Sequence, residues 1–311
     1  MNPLRRNILL FHAGALGDFV VTWPLAVAMA RVYPQSRVFY VSQRGKGLLA
    51  ERALRLESVD SESGWHAMYT VGGGALPEPQ ARLMAGAHSV VSFVSGADDA
   101  FGGNVARLAP GANYLPLAVT PPAGFSGHVS GYLLRQLEPW PAVQGALAQV
   151  LRSVASRGIA GPPPGGEAVL VHPGSGSKRK CWSTERFVEL ILRLRHEGRS
   201  VRAVLGEVER ETWPGEALRR LEGSAEVIWP RTYVELLDEV LKAASYVGND
   251  SGPSHLAGIM GVPTVALFGP SNADHWRPLG PRVEVVRAAS LEAIDVDHVA
   301  GALRSVESVS G

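Results

Sequence analysis

Residues Tyr246–Pro270 read YVGNDSGPSHLAGIMGVPTVALFGP, and their order decides what kind of fold the chain adopts. Ala244–Val247 is apolar enough for a buried strand. A polar turn follows at Gly248–Gly252, then a short helix from Pro253, a stop at Gly261 and a second strand at Thr264–Phe268. Proline suits the first helical position, where its missing N–H has no intrahelical bond to lose. Gly261 suits the left-handed residue that ends a helix, and Pro263 blocks continuation. A strand, a glycine-bearing turn and a helix N-terminus in succession present unpaired N–H groups and about half a unit of positive charge. Phosphate or pyrophosphate is the matching ligand. His255, on the first turn, can add a donor towards the same anion. The plain alternative is a capped crossover in which Asp250 caps and His255 packs. The crowding of Asn249, Asp250, Ser251, Gly252, Ser254 and His255 into one turn favours the ligand site.

The chain has 311 residues, 46% of them hydrophobic, enough for the cores of two domains. Its net charge of +1 provides no global field, so no nucleic-acid partner is expected. Cys181 is the only cysteine, which excludes an internal disulfide and fits a reducing, cytoplasmic compartment. No apolar run approaches the length of a membrane span. The opening MNPLRRNILLF sets an arginine pair before an apolar run, as a secretory leader does. That run soon meets Gly14 and Asp18, so a first strand at Asn7–Phe11 is the better reading.

Asn7–Phe11, the turn His12–Asp18 (HAGALGD), an apolar helix at Phe19–Val32 and a strand at Arg37–Val41 make a βαβ opening. Gly14 and Gly17 give G-x-x-G where a dinucleotide fingerprint needs G-x-G-x-x-G. Ser42, Gln43 and Arg44 stand where an acid would bind a ribose, so no nicotinamide cofactor is expected. Asp18 stands at a helix entrance, either as a dipole-stabilised first-turn acid or as a reacting carboxylate. Strands are expected at Ala67–Val71, Ser89–Val94 and Asn113–Leu117, with Gly72–Gly74, Gly102–Gly103 and Thr120–Gly127 as mobile loops. Asp98-Asp99 has no third carboxylate nearby and reads as a solvated loop. Arg31, Arg37, Arg44, Lys46, Arg52 and Arg55 lie close in sequence, as a face for an anionic acceptor or as a solvated helix surface.

Gly158–Glu167 (GIAGPPPGGE) is the clearest linker and puts the domain boundary near residue 160. A second series follows, with strands at Ala168–His172, Ser200–Leu205, Glu226–Trp229 and Arg282–Val286 flanking the focal stretch. Helices fall at Ser183–Glu197, Gly215–Leu221, Tyr233–Ala243 and Asp295–Val306. Alternation in both halves predicts two doubly wound parallel sheets. Ligands of such sheets bind at the carboxyl ends of strands, and two domains place the expected site in the cleft between them. The polar clusters fall at those ends: His12–Asp18, His172–Trp182 (HPGSGSKRKCW), Gly206–Glu209 and Asn249–His255. Gly174, Ser175, Gly176 and Ser177 with Lys178, Arg179 and Lys180 describe a phosphate cradle, in an order that is not a Walker loop. Glu209 is either a ribose acceptor or an exposed helix-entry acid.

These residues carry a resemblance. D-S-G-x-x-H-x-A-x-x-x-G-x-P-x-x-x-L-F-G-P (Asp250–Pro270) resembles the signature of glycosyltransferase family 9, the ADP-heptose:lipopolysaccharide heptosyltransferases. Ile8–Pro34 is similar to that family's opening, and HPGSGSKRKCW followed by G-x-x-E to its middle; residues about 60–160 carry no matching motif. The resemblance implies a GT-B fold: an acceptor-binding Rossmann-like domain at 1–160 and a nucleotide-sugar-binding one at 161–290, facing across a cleft. A C-terminal helix at 291–311 would pack back toward the first domain. It implies inverting, metal-independent transfer from a nucleotide sugar, with ADP-heptose as the expected donor and no other cofactor. By position, Asp18 is the catalytic base and Lys180 contacts the donor phosphate or sugar. Ser175 and Ser177 lie in the phosphate loop, and Glu209 holds the ribose. Asp250, Ser251, Gly252 and His255 hold sugar and diphosphate, and Gly14 and Gly17 join the ligand-contacting set. The implied acceptor is a lipopolysaccharide core or another glycan, free or lipid-linked, and a lipid-linked one would bring peripheral contact with the inner membrane face.

The chemistry agrees with those roles. Displacement at an anomeric carbon passes through an oxocarbenium-like state, and the leaving diphosphate gains charge that must be stabilised in place. The helix near Pro253, Lys180 and His255 can do so without a divalent metal ion. The only Asp-x-Asp is Asp295-Val296-Asp297, which reads as a helix cap, so no metal is expected. Three alternatives remain at this level. One is a GT-B enzyme of another specificity, such as a hexosyltransferase or a sugar-nucleotide epimerase. Another is a non-catalytic sugar-nucleotide-binding module. A serine hydrolase comes last, because Ser251 falls one place too late for G-x-S-x-G.

Overall fold

The computed structural model describes residues 7–94 and 99–308. Asp98 and the Arg5-Arg6 pair lie outside the described residues. Contacts divide the chain into two compact units, Met1–Leu151 and Arg152–Gly311. The division falls inside the helix Pro141–Arg157, just upstream of the Gly158–Glu167 linker.

The first unit is built on five strands: β1 (Asn7–Phe11), β2 (Arg37–Ser42), β3 (Glu57–Asp60), β4 (Ala87–Ser92) and β5 (Asn113–Pro116). They form one parallel sheet in the order β3-β2-β1-β4-β5. The second unit has six: β6 (Ala168–His172), β7 (Ser200–Val204), β8 (Glu226–Ile228), β9 (Ala243–Asn249), β10 (Thr264–Phe268) and β11 (Val283–Arg287). These too are parallel, in the order β11-β10-β9-β6-β7-β8. Both sheets grow outward from their first strand and then restart on its other side. The winding therefore reverses between β1 and β4, and again between β6 and β9. These are the positions where a doubly wound sheet leaves a crevice for a ligand.

Helices on both faces explain why the central strands are apolar without alternation. Ile8, Leu9, Leu10 and Phe11 are all 0% exposed. Phe11 meets Trp65 and Phe101 edge-on, at 5.0 and 4.9 Å between ring centroids, in the first core. The second core joins Val169, Val171, Trp182, Phe187 and Leu267 to Val299, Leu303 and Val306 of the final helix, Val296–Ser308. The buried face of that helix is thus part of the second unit's own core. Among the described residues, no helix is long and apolar enough to cross a membrane.

Several local expectations give way to tertiary chemistry. Ala67–Val71 is not a strand: a 3-10 turn, His66–Tyr69, takes its place. The carbonyls of Ala67, Met68 and Thr70 all accept from the buried Asn104 Nδ2, which curls the segment away from any sheet. Gly102 and Gly103 are helical, within Ala100–Leu108, because Asp99 caps the start and Phe101 and Val105 are buried. The single helix expected at Phe19–Val32 is two, Leu16–Val21 and Trp23–Val32. Pro24 has no N–H to continue the ladder, and Thr22 turns the chain with its Oγ1 on the Phe19 carbonyl. The basic cluster divides between the two ends of the strands: Arg31, Arg37, Arg52 and Arg55 fall at the amino ends, and Arg44 and Lys46 at the carboxyl ends. Arg37 opens β2 and pairs with Glu57. Arg44 and Lys46 begin the helix Arg44–Leu54, whereas Arg52 and Arg55 stand at its other end.

Candidate functional site

The first switch point is filled by the His12–Asp18 turn. Gly14 is forced: a Cβ there would lie 2.9 Å from His12 Cε1 and 3.2 Å from Asp18 Oδ2. The turn therefore folds tightly onto the half-buried Asp18, which sits in the first turn of Leu16–Val21 beside Gly17. Beneath it lies Lys46, buried, whose Nζ donates to the Gly14 carbonyl at 2.6 Å. Burial lowers the Lys46 pKa, and the negative charge of Asp18 opposes that fall. His12 is 2% exposed and packs edge-on against Phe19 at 5.2 Å. Burial, with the Lys46 charge second, drops its pKa to about 3, so its ring is neutral at ordinary pH. A hollow of about 580 Å³ opens beside this group, lined by His12, Gly14 and Asp18 and by residues following β4 and β5. The Phe93, Val94, Pro116 and Leu117 side of it is apolar, and Asp18 is the charged group in its lining.

The second switch point is held by one side chain. Asn249, fully buried at the end of β9, accepts from the Trp182 N–H at 2.9 Å through Oδ1. Its Nδ2 donates to the Pro173 and Gly174 carbonyls at 2.8 and 3.2 Å. Both ends of the His172–Trp182 loop are thereby tied to the next strand. Ser175 Oγ donates to the Asp250 carbonyl at 3.1 Å, and Lys180 Nζ to Asp250 Oδ2 at 2.7 Å. Lys180 remains 40% exposed while Asp250 is 7% exposed, so a cation stands at the surface over a sunken carboxylate. Ser177 lies on the exposed tip with Lys178 and Arg179.

Ser251 is the N-cap of the helix Gly252–Ile259 and makes no side-chain cap bond. His255 lies in this helix at 4% exposure, and Gly261 adopts φ +86° beyond it, the left-handed stop its sequence position predicts. Glu209 is not an exposed helix-entry acid. It is 4% exposed, its Oε2 accepting from the Gly206 N–H at 2.8 Å. Its other oxygen rests against Gly174, where an added Cβ would approach to 2.0 Å. His172, buried beneath the same loop, has its pKa lowered to about 4 by burial, the Glu209 charge opposing.

The structure thus gathers Ser175, Lys180, Glu209, Asp250, Ser251 and Gly252 around the second switch point, and Gly14, Gly17 and Asp18 at the first. Lys46 and Asn249 complete the two groups without having been singled out as site residues. Asn249 was visible as the first polar residue of N-D-S-G; Lys46 stood out only as one of the basic cluster between Arg31 and Arg55. Asp295 caps the last helix through the His298 N–H, and Asp297 pairs with Arg193.

Residues 141–300 match the family model described as glycosyltransferase family 9 (heptosyltransferase). The chain belongs to this family. The matched span contains the loop His172–Trp182, Glu209 and Asn249–His255, but not the His12–Asp18 turn. Lipopolysaccharide heptosyltransferase 1 of Pseudomonas aeruginosa is 32% identical over 115 residues, 37% of this chain and 32% of that enzyme. Heptosyltransferase 3 of Escherichia coli is 28% identical over 142 residues, covering 42% of this chain and 39% of that enzyme. The chain therefore aligns with between about a third and two fifths of these relatives' length. A family 9 glycosyltransferase structure from Veillonella parvula superposes with a TM-score of 0.69 at 17% identity, over 100% of this chain and 99% of that one. The fold of this family 9 member is accordingly the two-domain α/β GT-B fold.

Proposed function

We propose that this family 9 chain is an inverting, metal-independent glycosyltransferase. It moves a sugar from a nucleotide diphosphate donor, ADP-heptose first among candidates, to a hydroxyl of a lipopolysaccharide core or another glycan. The observation that carries the reading is the position of Asp18, a half-buried carboxylate beside a buried lysine at the mouth of a roughly 580 Å³ hollow on a switch point. Names of relatives support the donor: a solved heptosyltransferase of E. coli with TM-score 0.67 at 17% identity, covering 96% of this chain and 99% of that one, is described as bound to ADP.

The acceptor hydroxyl gives its proton to Asp18 as its oxygen bonds to the anomeric carbon. The bond from that carbon to the diphosphate oxygen breaks, and one displacement inverts the configuration. Charge growing on the leaving diphosphate meets Lys180 and the main-chain N–H groups where Gly252–Ile259 begins. Lys180 exchanges the Asp250 carboxylate for phosphate, leaving Asp250 to accept from sugar hydroxyls. Glu209 lies beside the phosphate loop, where a ribose would follow. If the acceptor is lipid-linked, the chain works at the inner membrane face from the cytoplasm.

Thermal-shift screening against ADP-, UDP-, GDP- and TDP-sugars identifies the donor, and donor turnover with and without glycan acceptors separates transfer from epimerisation. Asp18→Asn is expected to fold and to lose about 10²–10⁴ in transfer rate, the usual worth of a general base. Wild-type turnover by Asp18→Asn overturns the assignment.

A further inference from the structure

We propose that Gln136 is a positioning residue for the sugar acceptor: its side-chain amide fixes the wall of the hollow at Leu117–Thr120, against which a glycan binds. The inference rests on the reading of that hollow as the acceptor's seat and concerns what shapes one side of it. β5 is an edge strand of the first sheet, so its outer side has no neighbouring strand. Just past its end, the Leu117 N–H still donates inward to the Ser92 carbonyl of β4 at 2.8 Å. Successive residues of a strand direct their main-chain groups to opposite sides, and those of Ala118 are both taken by Gln136. Gln136, the last residue of the helix Val129–Gln136, accepts from the Ala118 N–H through Oε1 at 2.8 Å. Its Nε2 donates to the Ala118 carbonyl, also at 2.8 Å. One side-chain amide thus stands where a further strand would lie, and closes the open edge.

Gln136, Ala118, Val119 and Thr120 all line the hollow. The clamp therefore acts on the binding surface itself and not on a distant support. Val119 and Thr120 continue the wall with main-chain N–H and carbonyl groups and the Thr120 hydroxyl. These are uncharged donors and acceptors, the kind that match a sugar hydroxyl, which can do both. The chain beyond is tied to the same helix. Phe125 packs on Tyr132 at 5.3 Å between ring centroids, and the Arg135 guanidinium lies 5.0 Å over the Phe125 ring. The segment Thr120–Gly127, a mobile loop by composition, is thus held at its root through Ala118 and at its bend through Phe125. Without the amide at residue 136, Ala118 keeps its place only through Leu117. A glycan must then order the wall as it binds, which lowers its affinity.

The test follows the main-chain amides of Ala118–Thr120 by NMR in the full 15N-labelled chain, with delipidated lipopolysaccharide-core oligosaccharide as the probe. In wild type these amides are expected to shift as the oligosaccharide is added. Gln136→Met, which keeps the length and loses both bonds, is expected to raise its Kd about tenfold, the weight of one to two net hydrogen bonds. Gln136→Glu, whose carboxylate faces the Ala118 carbonyl with no donor, is expected to lose at least as much. In turnover with the same oligosaccharide the loss falls on KM, with kcat held within about twofold. Wild-type amides that stay unmoved at millimolar oligosaccharide overturn the proposal. So does a wild-type Kd in folded Gln136→Met, or a loss confined to kcat. Should Gln136→Met fail to fold, the Kd of Gln136→Glu decides in its place, and the wild-type amides decide if neither folds. Failure of the transferase reading is read separately. Oligosaccharide bound at these amides without transfer from any donor removes the transferase and leaves Gln136 its part, whereas transfer with the amides unmoved removes Gln136 alone.

Discussion

Gly174→Ala tests how closely the phosphate loop is built onto Glu209. The methyl carbon would begin 2.0 Å from Glu209 Oε1 and 2.4 Å from Cδ. To regain an ordinary 3.4 Å contact, the carboxylate must retreat by about 1.4 Å. Its hydrogen bond to the Gly206 N–H, now 2.8 Å, cannot survive that displacement. Losing a charge-assisted bond in a buried setting costs about 1.5–3 kcal/mol. For a unit of this size, that is a fall of roughly 3–12 °C in the melting step of the second unit. The decisive assay is a double-mutant cycle with Glu209→Ala, followed by urea and thermal unfolding. Once the carboxylate is gone, the alanine at 174 meets no obstacle, so the double variant should be no less stable than Glu209→Ala alone. A coupling of about 1.5 kcal/mol or more follows. Additive losses, or a Gly174→Ala protein as stable as wild type, would refute the close approach.

Acid should weaken both units through their buried histidines. With native values of about 3 for His12 and about 4 for His172 against 6.5 unfolded, only the unfolded chain takes up these protons as pH falls below 6.5. Each histidine then removes about 1.4 kcal/mol per pH unit, down to its own native value, and contributes no slope above 6.5. Urea midpoints for His172→Asn should fall less steeply than wild type between about pH 6 and pH 4.5; an identical slope contradicts the assignment. Cys181, the only thiol, has its pKa raised by burial and then by Glu209. At pH 8 its alkylation by iodoacetamide should be slower than that of free cysteine and slower still with ADP present. Protection absent at saturating ADP would argue against a diphosphate on this loop. Gly103 and Gly145 lie inside helices with open space where a Cβ would go. Gly103→Ala and Gly145→Ala should each stabilise by about 0.5–1 kcal/mol, read as a raised melting temperature; a lower one refutes the helical assignment of that glycine.

Strand ends were the most legible part of the sequence. In the second unit, glycine and proline punctuate each apolar run, so β6 to β11 fall within a residue or two of where composition puts them. β3 was invisible because ESVD is a four-residue edge strand, half-buried throughout and without an apolar signal. Ala67–Val71 misled because its apolar content suits a strand, and nothing local announces that Asn104, far along the chain, collects its carbonyls. At the site, residue types in the turns were readable and the ties between turns were not. Glu209 read equally as a ribose acceptor or a surface acid, and its burial depends on the loop across from it supplying a glycine for it to lie against. Lys46 and Gly14 are separated by 32 positions, and their meeting depends on β2 lying beside β1.

Asn249 has a consequence for how such a chain can diversify. One amide grips the roots of an eleven-residue loop, Pro173 and Gly174 at one end and Trp182 at the other, and leaves the crown from Gly176 to Arg179 out in solvent. The crown can be rewritten without unseating the roots. New preferences for the molecule it greets could therefore arise by exchanging a handful of surface letters, with no refolding of the sheet below.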